Sequence, residues 1–213
     1  MRSDTCYTLD DINFSLLSGE ERLLVMTALQ NHGAAFGSLT PSQKLRVYGL
    51  SESSLQALKS ELAERLQLDM GKKSLDIRSC PGPEDCKHAF ADSRAIGKKL
   101  EALVFDTPFP HKVKVAIAGC AMCCSEPYVR DIGLVAASRG WSVLFGGNAA
   151  GRPRIADTLA ENLAPEVAVS LVRTALDFYR KNASPKQRTA RFIEKIGIIE
   201  FKKAIGLSNT ESS

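Results

Sequence analysis

The chain has 213 residues, 44% of them hydrophobic and 24% charged, which is the composition of a folded globular protein and excludes a disordered chain, a collagen-like fibre or a polar repeat. The net charge of +4 (28 basic against 24 acidic residues) is too small an excess to argue for nucleic acid, and at 7% the aromatics are too sparse for a base-stacking surface. The longest uncharged apolar run, Val115 to Ser125, falls well short of the roughly 20 residues needed to cross a bilayer, and no apolar block follows Met1-Arg2-Ser3-Asp4. Neither nucleic acid nor a membrane is therefore expected as a partner, and the cytoplasm is the expected compartment.

In chain order, Ser18-x-x-Glu21 reads as a capping box ahead of Leu23, Leu24, Met26 and Leu29, with Gly33 as the stop, predicting a helix over about 18–31. Ala34 to Thr40 reads as extended. Lys44-Leu45-Arg46-Val47-Tyr48 alternates as a half-buried strand does. Leu55, Leu58, Leu62 and Leu66 then recur at helical spacing, with Ser51 as the N-cap. A second lobe opens with a strand at Leu75 to Arg78. A helix is expected from about Lys87 to Leu103, a strand from Lys112 to Ala118, and a hairpin from Ile132 to Phe145 turning at Arg139-Gly140. Gly146-Gly147-Asn148 with Gly151 forms a glycine-rich loop, and helices are predicted at about 153–162, 166–181 and 187–204. The expected fold class is α+β, with an N-terminal lobe over 1–71, a mixed α/β lobe over 72–206 and a polar tail over 207–213.

Six cysteines are present: Cys6, Cys80, Cys86, Cys120, Cys123 and Cys124. In a reducing compartment they do not read as a disulfide framework. Five fall between 80 and 124 in two groups, Cys80-x5-Cys86 and Cys120-Ala-Met-Cys123-Cys124, each on the loop after a predicted strand. Ligands at adjacent strand ends converge in α/β sheets. The spacing leaves three readings open. An iron–sulfur cluster takes thiolates from separated loops; zinc prefers tighter knuckles; the thiols can also be reduced and buried.

Together these motifs resemble the sirohaem-dependent nitrite and sulfite reductases. The resemblance lies in Cys80-x5-Cys86 followed by Gly119-Cys120-x3-Cys124-Ser125-Glu126-Pro127. It extends to the flanks Pro110-His111-Lys112-Val113-Lys114-Val115-Ala116 and Arg130-Asp131-Ile132-Gly133, to Gly146-Gly147-Asn148, and to Arg191-Phe192-Ile193-Glu194-Lys195-Ile196-Gly197. Leu39 to Leu50 is similar to the family's small ferredoxin-like lobe. The resemblance covers about residues 18–206 and implies a compact, single-repeat assimilatory-type sulfite reductase. It implies a [4Fe–4S] cluster on Cys80, Cys86, Cys120 and Cys124, with Cys124 bridging to the sirohaem iron, and a six-electron reduction of sulfite to sulfide or nitrite to ammonia. Cys123 then reads as a neighbouring free thiol and Cys6 as a bystander. Family members commonly carry Gly-Cys-Pro-Asn before the last cysteine, where this chain has Ala121-Met122-Cys123. The departure bears on potential and cluster stability rather than on ligation.

The resemblance also implies a basic cage for an anionic substrate and a carboxylate-rich cofactor. Arg78, Lys112 and Lys114 match three of its members. The fourth falls at Ser42, with Lys44 as the substitute and Arg46 close by. Arg46, Asn148, Arg152 and Arg154 are the candidates for holding sirohaem. Without the cysteines, these residues read as ordinary solvated strand and turn positions. Glu126 and Asp131 are expected to cap or pair locally. His32, His88 and His111 are scattered.

No flavin or nicotinamide motif is present, since Gly146-Gly147-Asn148 lacks G-x-G-x-x-G, so a ferredoxin-like electron donor is expected. Larger family members fuse two repeats, so a homodimer is expected to rebuild shared sites from this single repeat. The competing functions are nitrite reduction, a non-catalytic iron–sulfur electron carrier and a zinc-stabilised binding module.

Overall fold

The computed structural model describes residues 5–67 and 74–207, and the chain divides into two compact units, Met1–Lys73 and Ser74–Ser213. The lobe boundary expected after residue 71 and the tail beyond 207 lie outside the described residues. The fold is α+β, with a small antiparallel sheet in the first unit and a mixed sheet with helices in the second.

The first unit runs β1 (Cys6–Asn13), α1 (Gly19–Asn31), β2 (Ala35–Leu39), β3 (Lys44–Tyr48) and α2 (Glu52–Leu66). Strand β3 lies between β1 and β2 and is antiparallel to both, so the β1–α1–β2 crossover straddles it as in a split βαβ unit. The Ser18 hydroxyl accepts the Glu21 amide at 3.2 Å, and the Glu21 carboxylate accepts the Ser18 amide at 2.6 Å, which closes the capping box of α1. Ser51 caps α2 through the Ser54 amide at 3.1 Å. Leu55, Leu58 and Leu62 pack into one core with Leu9, Leu45 and Val47. Two features differ from the sequence pattern. Helix α1 buries Val25, Ala28 and Leu29 and leaves Leu23 and Met26 exposed, because the run Leu23-Leu24-Val25-Met26 is apolar all round and the sheet selects the face. Strand β1 is not signalled at all: Asp10-Asp11 interrupts its alternation, and its register shifts between Leu9 and Asn13.

The second unit runs β4 (Leu75–Ser79), α3 (Ser93–Glu101), β5 (Val113–Ala118), β6 (Ile132–Ala137), β7 (Gly140–Phe145), β8 (Asp157–Leu163), α4 (Pro165–Asn182), α5 (Thr189–Ile196) and α6 (Ile198–Ala204). The sheet order is β4-β5-β6-β7-β8, the first three parallel and the rest antiparallel. The helix expected over 153–162 is instead the edge strand β8. Its Ala, Glu and Leu residues are good helix formers, but pairing to β7 overrides that preference. The helix expected from Lys87 opens only at Ser93, where Asp92 Oδ1 accepts the Arg94 and Ala95 amides at 2.9 and 3.0 Å. The helix expected over 187–204 is two helices, parted at Gly197, whose φ of +80° halts α5.

Strand alternation, read through the register, divides the sheet into two faces. Ile77, Val115, Ile132 and Phe145 point to the helical side, where α3 packs on β4 and α4 on β7. There Phe145 and Phe201 meet at 4.6 Å between ring centroids, and Phe178, Tyr179 and Phe192 complete an aromatic core. Asp76, Arg78, Lys114, Ala116, Gly133, Val135 and Leu144 point to the opposite face. Phe201→Ala is expected to destabilise the second unit by about 3–5 kcal/mol, and Ile199→Ala, at an exposed position, by no more than about 0.5 kcal/mol. Chemical denaturation followed by fluorescence of Trp141, the single tryptophan, measures both.

Candidate active site

Parallel pairing of β4 with β5 delivers both cysteine loops to the same edge of the sheet. The Cys80 amide donates to the Ile117 carbonyl at 3.0 Å, continuing the ladder one residue past β4. Cys80 Sγ accepts the Gly119 amide at 3.1 Å, and the Gly119 carbonyl accepts the Phe90 amide at 2.7 Å, so the first loop folds back over the start of the second. A Cβ at Gly119 would stand 2.8 Å from the Ala91 carbonyl oxygen and 3.5 Å from Cys80 Sγ. Only glycine permits this approach. The first loop is also held by α3. The buried Arg94 guanidinium pairs with Glu84 and, at 3.3 Å, with Asp85, both between Cys80 and Cys86. The hydroxyl of the fully buried Ser93 lies 2.9 Å from the Cys80 carbonyl oxygen and 3.2 Å from Cys80 Sγ.

The second loop turns twice through the left-handed region, at Cys123 (φ 52°) and Glu126 (φ 63°). The Cys123 amide donates to the Cys120 carbonyl at 3.3 Å and the Glu126 amide to the Cys123 carbonyl at 2.8 Å. Cys123 consequently packs inward on Val135, Leu144 and Ala156, while Cys124 is exposed. Burial pushes the Cys123 thiol pKa up, with Cys120 and Cys124 adding to it, so this side chain keeps its proton. Cys80 and Cys120 are buried and Cys86 half-buried, whereas Cys6 is exposed in the first unit.

Among the described residues, no three His, Cys, Asp or Glu side chains gather as the ligands of a single ion do. A four-iron cluster asks for something different, one thiolate at each separate corner. Cys80, Cys86, Cys120 and Cys124 lie on the two loops that leave this end of the sheet. Ser125 Oγ, next to Cys124, and Arg130 Nε are buried with no hydrogen-bond partner, which suits a polar group bound beside this loop.

The expected basic residues fall in three places. Lys112, Lys114 and Arg78 are brought together on the sheet face carrying the second loop. Lys112 Nζ pairs with the buried Asp76 at 2.9 Å, Arg78 with Glu126 at 3.2 Å, and Lys114 is half-buried. Lys44 and Arg46 lie on β3 of the first unit, Lys44 buried and Arg46 exposed. Around the glycine-rich loop, the Asn148 side chain donates to the Ala150 and Arg152 carbonyls at 2.5 and 2.9 Å. Arg154 is tied to the Gly146 carbonyl at 2.9 Å and to Asp157 at 2.5 Å. Arg152, largely exposed, pairs with Glu194 at 2.6 Å.

Asp131 does not pair locally as the sequence pattern implies. It is 1% exposed and accepts from Thr189 Oγ1 at 2.5 Å, Arg188 at 2.9 Å and the Lys114 amide at 3.0 Å. Glu126 does pair locally, with Arg130 at 2.5 Å, and also reaches Arg78. The glycine-rich loop braces this segment: the Gly146 and Gly147 amides donate to the Asp131 and Arg130 carbonyls, each at 2.9 Å, and the Ala156 amide to the Tyr128 carbonyl at 2.8 Å. Ser93, Arg94 and Arg188 hold these loops and Asp131 without being singled out by the sequence pattern, which names Arg130 only as part of a flank. The Asp92-Ser93 cap signature was the one available signal.

Comparison with known proteins agrees with this geometry. Residues 70–212 match the family model described as the nitrite and sulphite reductase 4Fe-4S domain. The chain is 37% identical over 172 residues to an assimilatory-type sulfite reductase of Nitratidesulfovibrio vulgaris, covering 78% of this chain and 77% of that protein. It is 29% identical over 190 residues to the nitrite reductase (NADH) large subunit of Escherichia coli, covering 87% of this chain but only 22% of that one. Among solved structures, dissimilatory sulfite reductase I superposes with a TM-score of 0.71 at 14% identity, over 97% of this chain and 70% of its own. Mycobacterium tuberculosis NirA gives 0.63 at 19% identity, over 85% and 36%. With two thirds of its length matched by the model and most of it by the sulfite reductase, the chain belongs to the nitrite and sulphite reductase 4Fe-4S domain family.

Proposed function

We propose that this protein is an assimilatory-type sulfite reductase that takes sulfite to sulfide in a six-electron reduction, using a [4Fe–4S] cluster and sirohaem. The observation that carries the reading is the meeting of the two cysteine loops, Gly119 amide on Cys80 Sγ at 3.1 Å, at the end of the sheet whose one face carries Arg78 and Lys114. Sulfite is favoured over nitrite because the assimilatory-type sulfite reductase is matched over 77% of its own length, the nitrite reductase large subunit of Escherichia coli over 22%.

Cys80, Cys86, Cys120 and Cys124 hold the cluster in this reading. When bound, sirohaem would supply Lewis acidity and electrons for the anion. In this reading the exposed Cys124 would be the ligand shared with sirohaem. Cys123 points into the apolar contact with Val135 and Leu144 and is left out of ligation. The Arg78 guanidinium and the Lys112 and Lys114 ammonium groups offset the negative charge of the anion. Each oxygen removed from sulfite leaves as water, so protons must arrive with the electrons, and in this reading the lysines relay them. Asp76 holds Lys112, and Glu126 holds both Arg78 and Arg130, which fixes the direction of these cations. Arg152, largely exposed and paired with Glu194, suits a cofactor carboxylate better than Arg154, whose hydrogen bonds are taken by the loop and Asp157. Lys44 and Arg46 lie on β3 of the first unit; in this reading a ferredoxin-like protein supplies electrons, and two chains pair as a homodimer in the cytoplasm. Among the described residues, no helix is long and apolar enough to cross a membrane.

Cys→Ser at 80, 86, 120 or 124 is expected to lose most cluster iron after anaerobic reconstitution, whereas Cys6→Ser and Cys123→Ser retain it. Loss with Cys123→Ser and retention with Cys124→Ser would reverse the ligand assignment. Lys114→Met is expected to lower sulfite turnover by about a hundredfold with cluster iron unchanged, the usual scale for removing a positioned charge or proton donor. Wild-type rates for Arg78, Lys112 and Lys114 variants alike would return all three to the role of solvated strand residues. Sedimentation of the holoprotein is expected to give a dimer. Activity regained on mixing Cys124→Ser with Lys114→Met subunits would mark sites shared between chains, and a fully active monomer would exclude them.

A further inference from the structure

We propose that Ser93 is a positioning residue that sets the reduction potential of the cluster, by donating its hydroxyl hydrogen to the Cys80 thiolate. The inference rests on Cys80 being a cluster ligand. Ser93 Oγ lies 3.2 Å from Cys80 Sγ and is fully buried, so no water competes for the contact. In the free thiol either atom can donate. Once Cys80 ligates iron its sulfur has no proton, and the only hydrogen between the two atoms is that of the hydroxyl.

The same hydroxyl has a second acceptor, the Cys80 carbonyl at 2.9 Å. That oxygen is already served by Ser79 Oγ at 3.0 Å. The anionic sulfur, served by the Gly119 amide at 3.1 Å, is the stronger acceptor, and the Ser93 hydrogen turns to it on ligation. The helix frees Ser93 for this task. Asp92, not Ser93, caps α3, through the Arg94 and Ala95 amides. The neighbouring Arg94 pins the loop through Glu84 and Asp85, so Ser93 is held against Cys80 from both directions. Gly82 lies against it as well: a Cβ there would come within 3.3 Å of Ser93 Oγ.

A hydrogen bond to a ligating sulfur draws off charge and stabilises the more negative, reduced cluster, which raises the potential. Removing it lowers the potential. Losing one of two such bonds is expected to change the reduction equilibrium constant by roughly tenfold, about 59 mV for one electron.

The test is an EPR-monitored redox titration of reconstituted holoprotein, as wild type, Ser93→Ala and Ser93→Thr. Ser93→Ala is expected to retain cluster iron with a more negative midpoint, and Ser93→Thr, which keeps the hydroxyl, to restore the wild-type value. An unchanged midpoint in an iron-replete Ser93→Ala protein would overturn the inference and leave the ligand set standing. If Ser93→Ala fails to hold iron, wild-type protein exchanged into D2O decides the matter. Pulsed ENDOR of the reduced cluster is expected to show two coupled exchangeable deuterons near one thiolate, from Ser93 and Gly119, and a single one would sink the idea. Full cluster retention in Cys80→Ser, by contrast, would overturn the ligand assignment itself.

Discussion

The parallel ladder between β4 and β5 is the constraint on which the site depends. Five consecutive residue pairs, Leu75↔Val113 to Ser79↔Ile117, bring two segments nearly forty residues apart in sequence to the same sheet edge in register. The loops that leave that edge carry Cys80 and Cys120 at their first turns. A slip of one residue by either strand would turn its basic residue, Arg78 or Lys114, to the helical side and its apolar neighbour, Ile77 or Val115, to the opposite face. Because the helical face is packed with Ile77, Val115, Ile132 and Phe145, all nearly or fully buried, such a slip is strongly disfavoured. The hydrophobic core thus specifies the chemistry of the opposite face without contributing a group to it.

The two loops are stabilised differently. The first is gripped from α3 by ion pairs to a buried guanidinium and by Ser93. The second is shaped by its own backbone, with two non-glycine residues in the left-handed region, and is braced by the glycine-rich loop through the amides of Gly146 and Gly147. Left-handed backbone at Cys123 costs of order 1 kcal/mol, which the inward packing of its side chain on Val135, Leu144 and Ala156 helps to offset. That conformation sends adjacent cysteines in opposite directions, one into the core and one into solvent.

Asp131 joins these parts. Its buried carboxylate receives the Lys114 amide from β5, Thr189 from α5 and Arg188 from the residue before α5. It ties the start of β5 to the C-terminal helices. Removing this carboxylate leaves Arg188 without its partner and three donors unmatched, a loss that extends beyond any single hydrogen bond.

Much was legible in the sequence because the signals were local. The capping box at Ser18 and Glu21, the leucine stripe of α2, the alternating strands at 44–48 and 113–118, and the hairpin of β6 and β7 all depend on neighbours within a few residues. The cysteine spacing left a cluster as one of three readings, and the spacing together with its flanks pointed to the family. Other features depended on tertiary partners. Strand β8 is a strand because β7 offers an edge, against the helix preference of its own residues. Strand β1 pairs despite Asp10-Asp11 because β3 accepts it. That Cys123 faces inward and Cys124 outward follows from the backbone of one turn against one apolar patch. The contacts of Asp131 with Arg188 and of Ser93 with Cys80 cross 57 and 13 residues, and no periodicity in the chain encodes them. The sequence by itself determined which residue types were available for ligation and charge. Only the tertiary structure decided which of them face one another, because that is settled by strand register and by the burial of the opposite face.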